Sequence, residues 1–168
     1  MAKKGDKTEP PEQVRPGENK EERADRNLDE LLQELRIAIP GVQFLFAFLL
    51  TVPFATGFVN LSDGQEDLYF AVLLSTALTT VLLMAPSAHH RALFRLRDKS
   101  HLVEISNRFA IAGLTMLAVS ITGAVLLVAG IVFDGTKVIV FTVAVGACFV
   151  LFWGAMPLIR RASIRQKD

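Results

Sequence analysis

Cysteine and histidine are scarce in this chain. Cys148 is the only cysteine among 168 residues, which excludes an intrachain disulfide and a CxxC metal or redox site. Cys148 lies in an apolar run, so we expect a buried and inert thiol. His89, His90 and His101 are the only histidines. Neighbouring side chains on a helix point about 100° apart, so His89 and His90 would rarely bind one metal ion.

The sequence therefore predicts no metal and no cofactor. A pH-sensing role for the adjacent histidines stays open, because histidine titrates near neutrality. The other interpretation is that they are polar residues at a membrane boundary.

Charge is absent from four long segments. No Asp, Glu, Lys, Arg or His occurs in residues 41–59, 68–85, 109–133 or 138–159. Each segment is long enough to cross a hydrocarbon core of about 30 Å as a helix. A charge at mid-membrane costs roughly 2.5–3.5 kcal/mol, and none of the four bears that cost. The fold class that this predicts is an all-α membrane protein, with a four-helix transmembrane domain over residues 41–159.

The region before the first span divides into two parts. Residues 1–20 combine prolines, glycines and charges, which predicts a disordered tail. Apolar residues then recur at three- and four-residue spacing, which predicts an amphipathic helix over residues 21–39. The residues of that stripe are Leu28, Leu31, Leu32, Leu35 and Ile39. No apolar run precedes residue 37, so a secretory signal peptide is not expected.

Prolines and interfacial aromatic residues refine this prediction. Pro40 is expected to interrupt or kink the amphipathic helix. Pro53 is expected to kink the first span modestly, and Pro86 to end or bend the second helix. Tyr69 and Trp153 lie near the ends of their spans, where such side chains are typical interfacial anchors.

The distribution of positive charge predicts the orientation. All but one of the 18 lysines and arginines lie before the first span, between the second and third, or after the fourth; Lys137 is the exception. The positive-inside rule places that side in the cytoplasm. Both termini, including the tail 160–168, are then cytoplasmic.

The same pattern predicts contacts with anionic lipid head groups. A basic side chain at an anionic membrane surface contributes on the order of 1 kcal/mol of attraction. The candidate residues are His90, Arg91, Arg95, Arg97, Arg160 and Arg161.

The predicted amphipathic helix has an unusual charge for a helix that would lie on a membrane. Residues 21–39 carry six acids against three arginines, whereas a helix on anionic lipid is usually basic. The segment 89–108 of the same chain is basic. We therefore expect the helix to dock there through Leu28, Leu31, Leu32 and Leu35. The residues expected to receive it are Leu93, Phe94, Leu96, Leu102 and Val103. Docking on a partner protein, or on the membrane itself, is the alternative.

Small residues line two of the spans. They recur along one face of the second (Ala71, Ser75, Thr79) and of the third (Ala112, Ser120, Ala124). Small residues let membrane helices approach closely, either within the bundle or in contact with another subunit.

Three segments carry a resemblance to a known family. They are "LDELLQELRIAIPGVQFLFAFLLTVPF", "APSAHHRALFR" and "NRFAIAGLTML". Over residues 22–160 the chain resembles a group of small actinobacterial multi-pass membrane proteins of unknown function. Pro40 departs from that group's pattern. The resemblance implies a bacterial plasma membrane location, and it supplies no activity and no catalytic residue.

The leading functional hypothesis is a non-enzymatic accessory or scaffold component. Its expected partners are the lipid bilayer and a membrane protein or further copies of the chain, and nucleic acid is not expected. The alternative is a small oligomeric transporter or channel for a neutral solute, because the spans offer only glutamine, serine and threonine as polar groups. A membrane enzyme that acts on a lipid phosphate through His89, His90 and the arginines ranks third.

Overall fold

The computed structural model describes residues 19–93 and 99–165, and it is helical nearly throughout. Helix α1 spans Lys20–Thr51, α2 spans Asp63–Leu93 and α3 spans Lys99–Val132. Helix α4 spans Thr136–Phe149 and continues through a π-helical segment, Val150–Ala155, into α5, Met156–Arg165. Two 3₁₀ turns, Val52–Phe54 and Phe58–Asn60, connect α1 to α2. Four helical stretches in this part of the chain are long and apolar enough to cross a membrane.

The helices run up and down in sequence, with α3 at the centre. Ser75 of α2 contacts Ser120 of α3, and Gln65 contacts Gly130, so these two helices are antiparallel. Helix α3 packs against α1, α2 and α4, whereas α4 packs against α3 alone among the helices that the structure describes. The first three helices therefore form a bundle, and the fourth lies against one side of it.

Helix α1 joins the predicted amphipathic helix and the first span into one continuous element. It begins with a capping box, in which the Asn19 side chain accepts from the Glu22 N–H at 2.8 Å and the Glu22 carboxylate accepts from the Asn19 N–H at 3.1 Å. Pro40 lies inside the helix without ending it, so the expected interruption is wrong. A membrane helix tolerates a proline because groups of neighbouring helices form hydrogen bonds with the main-chain oxygen that the missing N–H leaves free.

The other two proline predictions also need correction. The α-helix ends at Thr51, so Pro53 lies in a 3₁₀ turn rather than at a kink inside a span that reaches residue 59. Pro86 does not end α2, which continues to Leu93, and a bend at this residue stays a prediction; Pro86 itself is fully buried.

The first three helices are longer than a bilayer requires. Helix α1 has 32 residues and α3 has 34, which correspond to about 48 and 51 Å, against a hydrocarbon core of about 30 Å. The additional length lies at the end of the bundle where α1 begins, α2 ends and α3 begins. Most of the charged residues of these helices lie there, whereas their uncharged stretches lie toward the opposite end. We call this end the terminal end, since α5 also finishes there.

Two clusters of buried side chains hold the bundle together. One lies toward the terminal end and contains Leu35, Val42, Leu83, Ala110 and Leu117. The other lies toward the opposite end and contains Leu49, Tyr69, Val72 and Leu127. Both clusters draw on α1, α2 and α3 only, so no described residue of α4 contributes to the core.

Candidate functional site at the terminal end

The exposed face of α1 at the terminal end is acidic. Its six carboxylates are all solvent-exposed: Glu21, Glu22, Asp25, Asp29, Glu30 and Glu34. Arg26 pairs with Glu30 at 3.4 Å, and an exposed pair of this kind contributes little to stability; Arg23 and Asp25 also have interaction partners. With six carboxylates against the three arginines of residues 21–39, this part of α1 is net negative.

The opposite face of this part of α1 is apolar and lies against the bundle. Leu28 and Leu35 are buried, and Leu31 and Leu32 are half-buried. Leu35 belongs to the cluster that contains Leu83 of α2. The apolar stripe is thus covered by other helices of the same chain.

The expected receiving surface is only partly described. Leu102 is buried and Val103 is half-buried. Phe94 and Leu96 lie outside the described residues, and so does the side chain of Leu93. Docking on this particular surface stays a prediction.

The predicted head-group contacts are scattered over the terminal end. Arg91 and Arg160 are exposed, and His90 is half-buried. Arg95 and Arg97 lie outside the described residues, as does the Arg161 side chain. The contacts of these residues with lipid head groups stay a prediction.

His89 is held against the bundle. Its Nδ1 lies 2.9 Å from the Ala85 carbonyl oxygen, which can only accept, so Nδ1 carries the proton. The imidazole ring also packs against Phe109, with ring centroids 5.3 Å apart. Over residues 19–93 and 99–165, no group of three His, Cys, Asp or Glu residues is placed to hold a metal ion.

Hydroxyl groups inside the spans mainly bond to the protein. The Ser120 hydroxyl lies 2.8 Å from that of Ser75 and donates to the Met116 carbonyl at 2.9 Å. Thr76 and Thr79 are fully buried, and each donates to the carbonyl four residues before it at 2.8 Å. These groups join α2 to α3 or bond to their own helix, so they are not arranged along an open polar path.

Grooves flank the contact between α3 and α4. One groove, of about 590 Å³, is lined by residues of these two helices, including Thr142, Gly146 and Trp153. On the opposite side, three neighbouring hollows of about 540, 420 and 390 Å³ share lining residues of α1, α3, α4 and the π-helical segment. We call these hollows together the α1-side groove. Its lining is apolar except for Glu34, at its terminal end.

Two side chains singled out from the sequence, Cys148 and Tyr69, have different surroundings from those expected, and the interfacial role of Trp153 stays a prediction. Cys148 is exposed on α4 because this helix packs against α3 alone among the described helices, so the prediction of a buried thiol is wrong. Tyr69 is buried at 1% exposure, so it is a core residue rather than an interfacial anchor. Trp153 is 48% exposed and lies in the π-helical segment. Nothing in the sequence marks that segment.

The sequence model of a family of unknown function, DUF6328, matches residues 17–157. The chain belongs to the DUF6328 family. The match begins just before the capping box of α1 and ends after the π-helical segment, so the DUF6328 region covers the acidic helix, the first three spans and most of the fourth. The chain has no match among the curated proteins or among the solved structures. Membership of DUF6328 thus gives the family without an activity.

Proposed function

We propose that this DUF6328 protein is a non-enzymatic accessory or scaffold component of a membrane complex. The observation that supports this most directly is the arrangement of α1. Its apolar face packs on the bundle, and its six carboxylates project from a helix that continues into the membrane. Such a helix presents a fixed negative surface that a basic region of a partner could bind.

The polar groups of the spans favour this proposal over a transporter or channel. A pathway through a membrane usually has ionisable or strongly polar groups along it. The buried hydroxyls of Thr76, Thr79 and Ser120 are engaged in hydrogen bonds within or between helices. The 590 Å³ groove is mostly apolar, and its lining residues come only from α3, α4 and the π-helical segment. A neutral-solute pore would have to form between copies of the chain.

An enzyme that acts on lipid phosphate has less support. It needs a nucleophile or a base near the arginines. His89 donates through Nδ1 to a main-chain oxygen and stacks on Phe109, which orients it toward the bundle.

The proposed location is the bacterial plasma membrane, with the acidic helix in the cytoplasm. The proposal rests on the resemblance to actinobacterial proteins and on the positive charges at the terminal end. In that orientation the partner of the acidic face is a cytoplasmic protein or the cytoplasmic part of a membrane protein.

The test is purification of the tagged protein from native membranes in mild detergent, followed by mass spectrometry of co-purifying proteins and of the intact complex. The acidic face provides a matched pair of variants. Replacing Asp25, Asp29 and Glu30 by asparagine or glutamine removes negative charge, whereas replacing Arg23 and Arg26 by glutamine increases it. A stoichiometric foreign protein that is lost only with the first set supports the proposal. Recovery of this chain alone contradicts it and leads to solute-flux assays in liposomes.

A further inference from the structure

The α1-side groove has apolar walls formed by three helices and one charged residue at its terminal end. Ile121 lines all three of its hollows and Leu45 lines two, and Trp153 lines the part nearest the terminal end. Glu34 lies in that same part. It has no ion pair or hydrogen bond with any other residue that the structure describes. An occupant should therefore be apolar along most of its length and basic where it reaches Glu34.

Helix α4 and its continuation α5 have this pattern. Residues 138–159 carry no charge, and Arg160 follows them directly. Arg160 lies seven residues after Trp153, nearer the terminal end. No residue of α4 is buried, so its surface away from α3 is available for a contact.

The side-chain directions bring the two charges to the same depth. On any α-helix the Cα–Cβ bonds tilt toward the N-terminus of that helix. Helix α1 runs away from the terminal end, so Glu34 leans toward that end. Helix α4 runs back toward the terminal end, so Arg160 leans toward the membrane. The carboxylate of Glu34 and the guanidinium of Arg160 therefore approach the same level along the membrane normal.

The helix that fills the groove cannot be the chain's own α4, because that helix already forms one of its walls. It is held against α3 by the packing of Phe133 on Phe141, at 5.4 Å between ring centroids, and of Gly146 on Thr122. A second copy inserts in the membrane with the same orientation, since the same positive charges direct it. A two-fold axis along the membrane normal keeps every residue at its height, so Arg160 of each copy meets Glu34 of the other.

We propose that two copies of this chain form a symmetric dimer in which α4 of each fills the α1-side groove of the other. The Glu34–Arg160 ion pair between copies fixes the register. The groove of about 590 Å³ on the other side of the α3–α4 contact has no charged lining residue and is not the dimer surface. This inference is separate from the proposed accessory function, because it is tested between two copies and requires no foreign partner.

The test is cross-linking between differently tagged copies in isolated membranes. One copy carries Glu34→Cys and the other Arg160→Cys, both in a Cys148→Ala background. A short bis-maleimide is the reagent, because a disulfide needs Cα atoms within about 7 Å whereas an ion pair does not. Cross-links that contain both tags support the dimer. A control copy with Asn60→Cys, at the opposite end of the bundle, should give no mixed product with Arg160→Cys.

Two outcomes overturn the proposal. The first is a mixed-tag yield no higher than that of the Asn60→Cys control. The second is a single chain with both cysteines that cross-links only internally, which indicates that the helices of one chain close the groove.

Charge reversal provides a second measurement. Glu34→Arg should shift the intact mass toward the monomer, and adding Arg160→Glu should restore the dimer. Glu21→Arg, on the same helix but away from the groove, should leave the dimer unchanged. A dimer that is insensitive to Glu34→Arg contradicts the proposed register.

Discussion

The hydroxyl of Tyr69 donates a hydrogen bond to the main-chain oxygen of Leu49 across 2.9 Å, at the point where α1 ends. In a continuing helix that oxygen would accept from residue 53, but residue 53 is a proline and has no N–H. The Val52 N–H bonds to the same oxygen in the tighter 3₁₀ manner, so both of its lone pairs are used. Tyr69 thus stabilises the end of a helix that a proline terminates.

Tyr69→Phe should lower the free energy of unfolding. The expected loss is about 0.6–1.7 kcal/mol, the range for hydrogen bonds between membrane helices. In a Pro53→Ala background the new N–H can bond to Leu49, so the same substitution should cost less. Thermal unfolding in detergent of the original protein, the two single variants and the double variant gives a double-mutant cycle that measures this difference. Equal costs in the two backgrounds would contradict the explanation.

Ser120→Ala should destabilise the contact between α2 and α3. The Ser120 hydroxyl is fully buried and lies 2.8 Å from the Ser75 hydroxyl, so its removal costs roughly 0.6–1.7 kcal/mol. The matched control is Thr115→Val, because the exposed Thr115 hydroxyl bonds only to its own helix at the Ile111 carbonyl. Unfolding in detergent should separate the two variants. Similar stabilities would indicate that the serine pair contributes nothing.

Gly113→Ala should push α2 away from α3. A Cβ at residue 113 would lie 2.5 Å from a Leu83 side-chain carbon, and Leu83 is fully buried. Overpacking of this kind costs typically 1–3 kcal/mol. Gly41→Ala is the control on α1, where a Cβ would meet nothing within 4 Å. We expect a lower unfolding temperature for the first variant and an unchanged or higher one for the second.

Leu35→Ala should loosen the terminal end of α1. Leu35 is 4% exposed and packs with Leu83, so its truncation should cost about 2–5 kcal/mol. Ile37→Ala, at 83% exposure on the same helix, should have little effect on the monomer. Limited proteolysis in α1 should be faster for the Leu35 variant only. Equal cleavage rates would show that the packing of this face does not protect the helix.

The proposed orientation predicts which cysteines a membrane-impermeant maleimide can reach in intact cells. In a Cys148→Ala background, Ser62→Cys should be labelled and Ser163→Cys should be labelled only after the cells are opened. Both residues are exposed, so accessibility differs only by the side of the membrane. The reverse labelling pattern would overturn the orientation and place the acidic helix outside.

The sequence predicted four helices long and apolar enough to cross a membrane, because the absence of charge over a membrane thickness is a signal that each segment carries by itself. It did not predict where α1 ends or that Pro40 and Pro86 lie inside helices. Those outcomes depend on neighbouring helices, which compensate for a missing N–H in ways that local rules do not include. The burial of Tyr69 likewise depends on a main-chain oxygen 20 residues away.

For the candidate site, too, some features could be predicted from the sequence and others could not. The acidic character of α1 and the leucines of its opposite face are evident from spacing alone. The grooves beside α4 are not, since they arise because α4 packs on α3 and on no other described helix. No periodicity within one segment indicates which faces of a bundle stay uncovered.

The continuity of α1 has a mechanical consequence. A single helix of 32 residues reaches from the exposed carboxylates near Asn19 to the Tyr69 junction at the far end of the bundle. Such a helix transmits force as a stiff rod, because its hydrogen-bonded backbone resists stretching and bending. A partner that pulls on the acidic end therefore loads the Leu49–Tyr69 contact across the whole thickness of the membrane, with no loop between them to absorb the strain.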